Sequence, residues 1–169
     1  YYVRDGRKMS KSLGNFIEID LIEKYCTRYS PDAIRWYLTT QGPLGATDAD
    51  FSHAHFIETY NTDLANGIGN CASRVGNMIA KYFDGKVPEH AGKFSFDARS
   101  EAQPNARFNW PELVPVVVAA FENHVQNVAL GEALHAATRL AGDVDQFINA
   151  TRPFSIAKAI EKADPSEAE

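Results

Sequence analysis

Cysteine, methionine and tryptophan each occur only twice in this chain of 169 residues. The two cysteines, Cys26 and Cys71, form no Cys-x-x-Cys pair and no cluster with histidine. This pattern indicates neither a disulfide framework nor a zinc site. No apolar run approaches the roughly 20 residues that span a bilayer, and no signal peptide is recognisable. These absences predict a cytoplasmic protein with no membrane partner and no metal site.

Positive charge is in the minority, because 17 Lys and Arg residues stand against 22 Asp and Glu residues and the formal net charge is −5 at pH 7. Proteins that coat nucleic acid without sequence preference are usually basic, so the composition argues against DNA binding and restricts any RNA contact to a local surface. Basic residues are concentrated in the first eleven positions, which contain Asp5 as the single acidic residue and four basic ones: Arg4, Arg7, Lys8 and Lys11. The N-terminal end is therefore the first candidate for contact with an anion.

Apolar residues make up 44% of the chain, which is enough for a real core. The Asp5-Gly6 pair predicts the turn of a β-hairpin. Apolar periodicity predicts helices over about 19–28, 31–41, 52–83, 111–127 and 131–149, and another from about 151. Residues 84–110 show no period and are predicted to be a long loop. The predicted fold is mainly α: an antiparallel helical bundle (51–162) preceded by a small α/β segment with the hairpin (1–50) and followed by a polar tail (163–169).

Local signals refine these boundaries. Ser30 and Thr151 are predicted helix caps, and the proline one or two positions after each suits a first helical turn. Glycines inside the long helix 52–83 cost about 1 kcal/mol each relative to alanine. They therefore predict that another helix or an RNA backbone approaches the helix closely.

The stretch GRKMSKSLGN, residues 6–15, is called the signature loop below. It places two lysines and two serines between glycines. Such a loop can wrap around phosphates, because glycine lets the backbone approach and ammonium groups offset negative charge. A solvated basic turn is the alternative that composition alone leaves open.

The string resembles the KMSKS signature of class I aminoacyl-tRNA synthetases at all five positions: Lys8, Met9, Ser10, Lys11 and Ser12. Leu13, Gly14 and Asn15 continue the family pattern. The resemblance implies that these five residues bind ATP, which enters with Mg²⁺ as the substrate of the full enzyme. It further implies that Lys8 and Lys11 are catalytic and stabilise the pentavalent phosphate while the aminoacyl-adenylate forms.

Residues 48–88 resemble one member of that class, methionyl-tRNA synthetase, nearly throughout. The stretch DLANGIGNCASR favours this member over the synthetases for valine, isoleucine, leucine and cysteine, which stay as the alternative within the class. Farther along, RPFSIAK (152–158) is similar to the P-W-x-x-A-K segment of the same family. The resemblance implies a helical domain that binds the anticodon stem-loop of tRNA.

Asn70, Arg74, Asn77 and Lys81 are spaced to form one polar stripe on the long helix. A solvated helix face is the simpler interpretation. In the family, the Asn and Arg of N-x-x-x-R read the anticodon, which implies this role for Asn70 and Arg74. The family stacks a base on the Trp of P-W, and Phe154 stands there in this chain. Phe154 can stack, or it can pack in the core.

The His-x-Gly-His motif and the amino-acid pocket of class I synthetases are missing from the sequence. We therefore predict a C-terminal part of a methionine–tRNA ligase that is inactive alone, with tRNA and the missing N-terminal catalytic domain as its partners. Two further hypotheses remain. One is a free-standing tRNA-binding module without catalysis, and the other is a helical interaction protein whose signature loop is vestigial.

Overall fold

The computed structural model of the protein describes residues 2–42, 48–87, 95–97 and 107–163. Helices dominate this part of the chain, and the predicted mainly α fold is confirmed. The strands are β1 (Tyr2–Arg4), β2 (Arg7–Lys8), β3 (Ala49–Phe51), β4 (Ser95–Asp97) and β5 (Arg107–Asn109). The α-helices are α1 (Ile19–Tyr29), α2 (Pro31–Thr40), α3 (His53–Thr59), α4 (Asn70–Tyr82), α5 (Trp110–Gln126), α6 (Leu130–Thr151) and α7 (Pro153–Ala163).

The predicted hairpin is formed by β1 and β2, which pair in antiparallel fashion. Both turn residues have positive φ, 52° at Asp5 and 72° at Gly6. The Asp-Gly sequence tolerates this conformation, so the turn prediction is confirmed. A parallel pairing of β1 with β3 was not predicted, and it makes β1 the central strand of the order β2-β1-β3. The Asp50 carboxylate accepts a hydrogen bond of 2.9 Å from the Gly6 N–H, which ties the turn to β3.

The core of the N-terminal segment is aromatic. Tyr37 and Phe56 are almost fully buried, and their rings meet edge to face with centroids 5.4 Å apart. Contacts of this kind contribute about 0.5–1.5 kcal/mol beyond the burial of area. Ser30 caps α2 as predicted, because its Oγ accepts the Ala33 N–H at 3.2 Å. The packing of α2 and α3 on the small sheet fixes the base from which the signature loop extends.

The predicted long helix is present from α3 to α4, but its middle is a π-helix, Tyr60–Gly69. An added Cβ at Gly69 would lie 2.9 Å from the carbonyl oxygen of Leu64, five residues earlier in the same helix. The close approach at Gly69 therefore comes from the wide turn itself and not from a second helix. At Gly76 a Cβ would meet nothing of the described chain within 4 Å. The prediction that another helix approaches these two glycines was wrong, and the approach of an RNA backbone stays a prediction.

The helices α5 and α6 form a hairpin whose second helix starts against α2, since a Cβ on Gly131 would lie 3.1 Å from the Thr39 carbonyl. The prediction that Thr151 caps the last helix was wrong. Its hydroxyl donates to the Phe147 carbonyl one turn back at 2.8 Å, and Thr151 ends α6. Arg152 then adopts φ 49°, which breaks the helix, and Pro153 opens α7 as predicted.

The prediction of a structureless loop over 84–110 was wrong in part, because β4 and β5 pair in antiparallel fashion within it. Phe108 on β5 is buried and meets Phe147 of α6 edge to face at 5.3 Å. Strands of three residues are too short for a period to be read from sequence. Residues 88–94, 98–106 and the end of the predicted polar tail, 164–169, lie outside the described part of the chain.

Candidate functional site

The signature loop begins in the hairpin turn, includes β2 and contains a second tight turn after that strand. A 3-10 helix covers Lys11–Leu13, and Gly14 ends it with φ 66° in the left-handed region. The Leu13 N–H donates to the Ser10 carbonyl and the Gly14 N–H to the Lys11 carbonyl, each at 3.2 Å. Glycine is needed at position 14 because other residues rarely adopt this conformation. The turn therefore has a defined backbone with exposed side chains.

Asn15 closes the loop with two hydrogen bonds to backbone on either side of Met9. Its Oδ1 accepts the Ser10 N–H at 2.8 Å, and its Nδ2 donates to the Lys8 carbonyl at 3.0 Å. Asn15 was not among the predicted site residues. Two signals were available: its place in the family pattern after the KMSKS match, and its type, since asparagine side chains often bond to nearby backbone in turns.

Both lysines and Ser12 of the signature loop are exposed, whereas Ser10 is half-buried. Lys8 and Lys11 are exposed, and within the described ranges neither ammonium group forms an ion pair. The Lys11 Nζ lies 5.5 Å from the centre of the Phe16 ring. The Ser10 and Ser12 hydroxyls share a hydrogen bond of 2.7 Å. Four of the five residues of the KMSKS match thus offer two cations and two hydroxyls within five consecutive positions, from the end of β2 into the 3-10 turn.

Met9, the fifth residue of the match, points elsewhere. It is half-buried and lines an apolar cavity of about 220 Å³ between the loop, the sheet and helices α1 and α2. The other lining residues are Ile17, Leu21, Ile22, Tyr25, Ile34, Leu38 and Phe51. Met9 therefore anchors the signature loop to the core, whereas Lys8 and Lys11 are exposed to solvent.

The second candidate site is on α4, where the polar stripe divides. Asn70, Asn77 and Lys81 are exposed, but Arg74 is half-buried. The Arg74 guanidinium donates to the Asp145 carboxylate and to the Asn149 side-chain oxygen, both at 2.8 Å. Sequence reasoning missed both partners. The available signal was their spacing, because polar residues at i and i+4 interrupt the apolar face of α6.

The Arg74–Asp145 pair changes the chemistry of its surroundings. The side chains of Arg74 and Asp145 are 26% and 20% exposed to solvent, respectively. Asp145 neutralises much of the guanidinium charge, while the remaining N–H groups are available to another acceptor. Burial raises the pKa of the nearby Cys71 thiol, the Asp145 charge raises that pKa further, and Arg74 partly opposes this.

Phe154 lies beside the other end of α4. Its ring is 38% exposed and contacts the Tyr82 ring at a centroid distance of 6.3 Å and an angle of 56°. Lys81 places its Nζ 5.3 Å from the centre of that Tyr82 ring. At 1.5 Å per residue, Tyr82 is about 12 Å along the helix from Arg74. The structure brings Asn70 and Arg74 onto one helix end and puts Phe154 at the other.

The N-terminal part of the chain matches a known protein family. Residues 1–76 match the family model described as tRNA synthetases class I (M). The signature loop and the start of α4 both lie in the matched part.

The individual proteins most similar in sequence include several methionine–tRNA ligases. The methionine–tRNA ligase of Oceanobacillus iheyensis is 36% identical over 157 residues, which are 92% of this chain and 21% of that protein. The ligase of Bacillus subtilis is 34% identical over 99% of this chain and 22% of its own length. The chain thus spans about a fifth of the length of the curated relatives it matches.

Solved structures agree. The Mycobacterium tuberculosis methionyl-tRNA synthetase in complex with methionyl-adenylate superposes with a TM-score of 0.70 at 27% identity, covering 91% of this chain and 28% of that one. The free form of the same enzyme gives 0.60 at 26% identity, covering 86% and 26%. The fold and the signature loop define a class I tRNA synthetase segment. Within that class, the chain belongs to the methionyl-tRNA synthetase family.

No helix in the described ranges combines the length and apolar character needed to cross a bilayer.

Proposed function

We propose that the chain is the C-terminal part of a methionine–tRNA ligase, with the signature loop serving methionyl-adenylate formation and the helical bundle (51–162) recognising the tRNA anticodon. The observation that carries the proposal is the signature loop itself. It combines a complete KMSKS string with two exposed ammonium groups that have no ion-pair partner among the described residues. The known M. tuberculosis relative, solved with methionyl-adenylate, supplies the chemical context.

The chemistry explains why the loop carries lysine. The methionine carboxylate attacks the α-phosphorus of ATP, a bond from oxygen to phosphorus forms, and pyrophosphate leaves. Negative charge on the phosphate oxygens is greatest in the transition state, so a cation positioned there raises kcat more than it tightens substrate binding. We assign this role to Lys8 and Lys11. Ser10 and Ser12 supply hydroxyls for the phosphates, and Met9, which is also predicted to contact ATP, lines the apolar cavity and anchors the loop to the core.

We propose the remaining partners from the same argument. The methionine pocket and most of the ATP site belong to a catalytic domain of the parent ligase, so the 169-residue chain alone should be inactive in methionine-dependent ATP–pyrophosphate exchange. Mg²⁺ enters with ATP. The cytoplasm is the proposed compartment, because that is where tRNA is charged.

The test of the loop uses Lys11→Ala in a full-length ligase that contains this segment. Losing a contact made in the transition state typically costs about 10²–10³ in rate. We therefore expect adenylate formation to slow by that factor with the KM for methionine unchanged. A rise in KM with kcat intact would refute the role of Lys11.

The anticodon proposal is supported by the exposed Asn70 one turn before Arg74. Asn70→Ala should weaken binding of a methionine-anticodon stem-loop to the chain, but not binding of a stem-loop with a changed anticodon. Lys81→Ala is the matched control on the same stripe. It should weaken both RNAs equally and lower the salt slope by about 0.7. Equal losses on both RNAs for Asn70→Ala would leave only a general RNA-binding surface, and no binding at all would favour a helical interaction protein.

A further inference from the structure

Both polar atoms of the Asn15 side chain, Oδ1 and Nδ2, form hydrogen bonds with backbone groups of the signature loop. The Ser10 N–H donates to Oδ1 at 2.8 Å, and Nδ2 donates to the Lys8 carbonyl at 3.0 Å. The two bonded residues flank Met9. Asn15 itself is half-buried, and its bond with the Ser10 N–H is partly shielded from competing water, whereas its bond to the Lys8 carbonyl is exposed.

The two bonds act on the residues whose placement matters for phosphate chemistry. Lys8 leaves the hairpin at the end of β2, and Ser10 precedes the 3-10 turn that carries Lys11. Without Asn15, the described contacts that remain here are the pairing of Lys8 in the hairpin, the Met9 side chain in the apolar cavity, the hydrogen bond between the Ser10 and Ser12 hydroxyls and the 3-10 turn itself. Asparagine is the right length and chemistry, because one short side chain offers both an acceptor and a donor.

We propose that Asn15 is a positioning residue for catalysis: it sets the spacing and direction of Lys8 and Lys11 before substrate arrives. This rests on the proposed role of the lysines in adenylate formation. Preorganised charges are effective because little reorganisation is needed in the transition state, and a misplacement of about 1 Å can cost about 100-fold in rate.

The first arm of the test is structural and uses the 169-residue chain. Amide hydrogen exchange is measured for wild type, Asn15→Ala and Asn15→Asp. The Ser10 amide should exchange at least tenfold faster in Asn15→Ala, because its acceptor is gone. Asn15→Asp keeps that acceptor and loses only the donor to Lys8, so Ser10 should stay protected. Leu13→Ala is the control, because the Leu13 side chain is 68% exposed and makes no bond in this network.

The second arm is kinetic and uses a full-length ligase that contains this segment, with Asn15→Ala, Leu13→Ala and Lys11→Ala compared. We expect Asn15→Ala to slow adenylate formation by roughly 10- to 100-fold with the KM for methionine unchanged, although both lysines are intact. Leu13→Ala should be close to wild type. If Lys11→Ala is slow and Asn15→Ala is not, the positioning role is refuted alone. If Lys11→Ala has no effect, the proposed function of the loop fails instead. An unchanged hydrogen-exchange rate of the Ser10 amide in Asn15→Ala would refute the proposal that Asn15 holds the loop backbone.

Discussion

The bridge from Arg74 to Asp145 should be a measurable contributor to stability, and a double-mutant cycle of Arg74→Ala and Asp145→Ala tests this. The two groups meet at 2.8 Å with side-chain exposures of 26% and 20%. Hydrogen bonds to charged groups contribute about 1.5–3 kcal/mol, whereas fully exposed ion pairs contribute about 0.2–1 kcal/mol. The intermediate burial of this pair places the expected coupling energy at about 1–2 kcal/mol.

The assay is equilibrium unfolding in urea for wild type, both single variants and the double variant. Asp32 and Arg35 provide the matched control, because this pair has nearly the same distance, 2.9 Å, with side chains 86% and 77% exposed. Its coupling should be about 0.2–0.5 kcal/mol. Raising the salt to 1 M should weaken the exposed pair more than the half-buried one. A coupling below about 0.3 kcal/mol for Arg74 and Asp145, within the usual error of additivity, would refute the reasoning.

Three further predictions follow from single sites. Gly76→Ala should stabilise the fold by up to about 1 kcal/mol, as is usual in a helix, whereas Gly69→Ala should destabilise it because its Cβ would be 2.9 Å from a backbone oxygen. Equal effects in urea unfolding would contradict this. In a variant without the other cysteine, alkylation of Cys71 should be slow at pH 8, and Asp145→Asn should speed it, because removing that charge lowers the thiol pKa. An unchanged rate would show that the carboxylate has no influence. Phe154→Trp should tighten stem-loop binding by less than the roughly 1–3 kcal/mol of a whole stacked base. Thermal melting should be unchanged, since the side chain is 38% exposed, and a lower Tm with unaltered affinity would assign the position to packing.

The sequence predicted those parts of the fold that depend on neighbours along the chain. The Asp5-Gly6 turn, the Ser30 cap and the long helices follow from local geometry, and the structure contains each of them. The pairing of β1 with β3 depends on residues far apart in sequence, and no local pattern announces it. The end of α6 differs from the prediction because of a local hydrogen bond within the helix. A threonine before proline suits a cap, but here the helix continued to Thr151 and used its hydroxyl internally.

In the candidate site, too, local sequence predicts some features, while others depend on residues that are distant along the chain or on side-chain contacts. The KMSKS string identifies its residues by type and spacing, but it does not show that Met9 turns into the core or that Asn15 holds the backbone. Arg74 was found through its spacing from Asn70. Its partners on α6 lie 71 and 75 positions away, and their acceptor role appears only when the two helices are packed together.

The placement of β1 between β2 and β3 has a consequence for how the protein acquires its structure. The hairpin turn is joined to β3 across 44 positions of sequence, and closing a flexible loop of that length costs about 3 kcal/mol plus a constant. An isolated two-stranded hairpin is at best marginally stable in water. During synthesis, β1 and β2 therefore gain their pairing with β3 only after Phe51 has been made. Within residues 2–51, the strands that frame the signature loop are made early, but their pairing is completed only when β3 and the aromatic core are present.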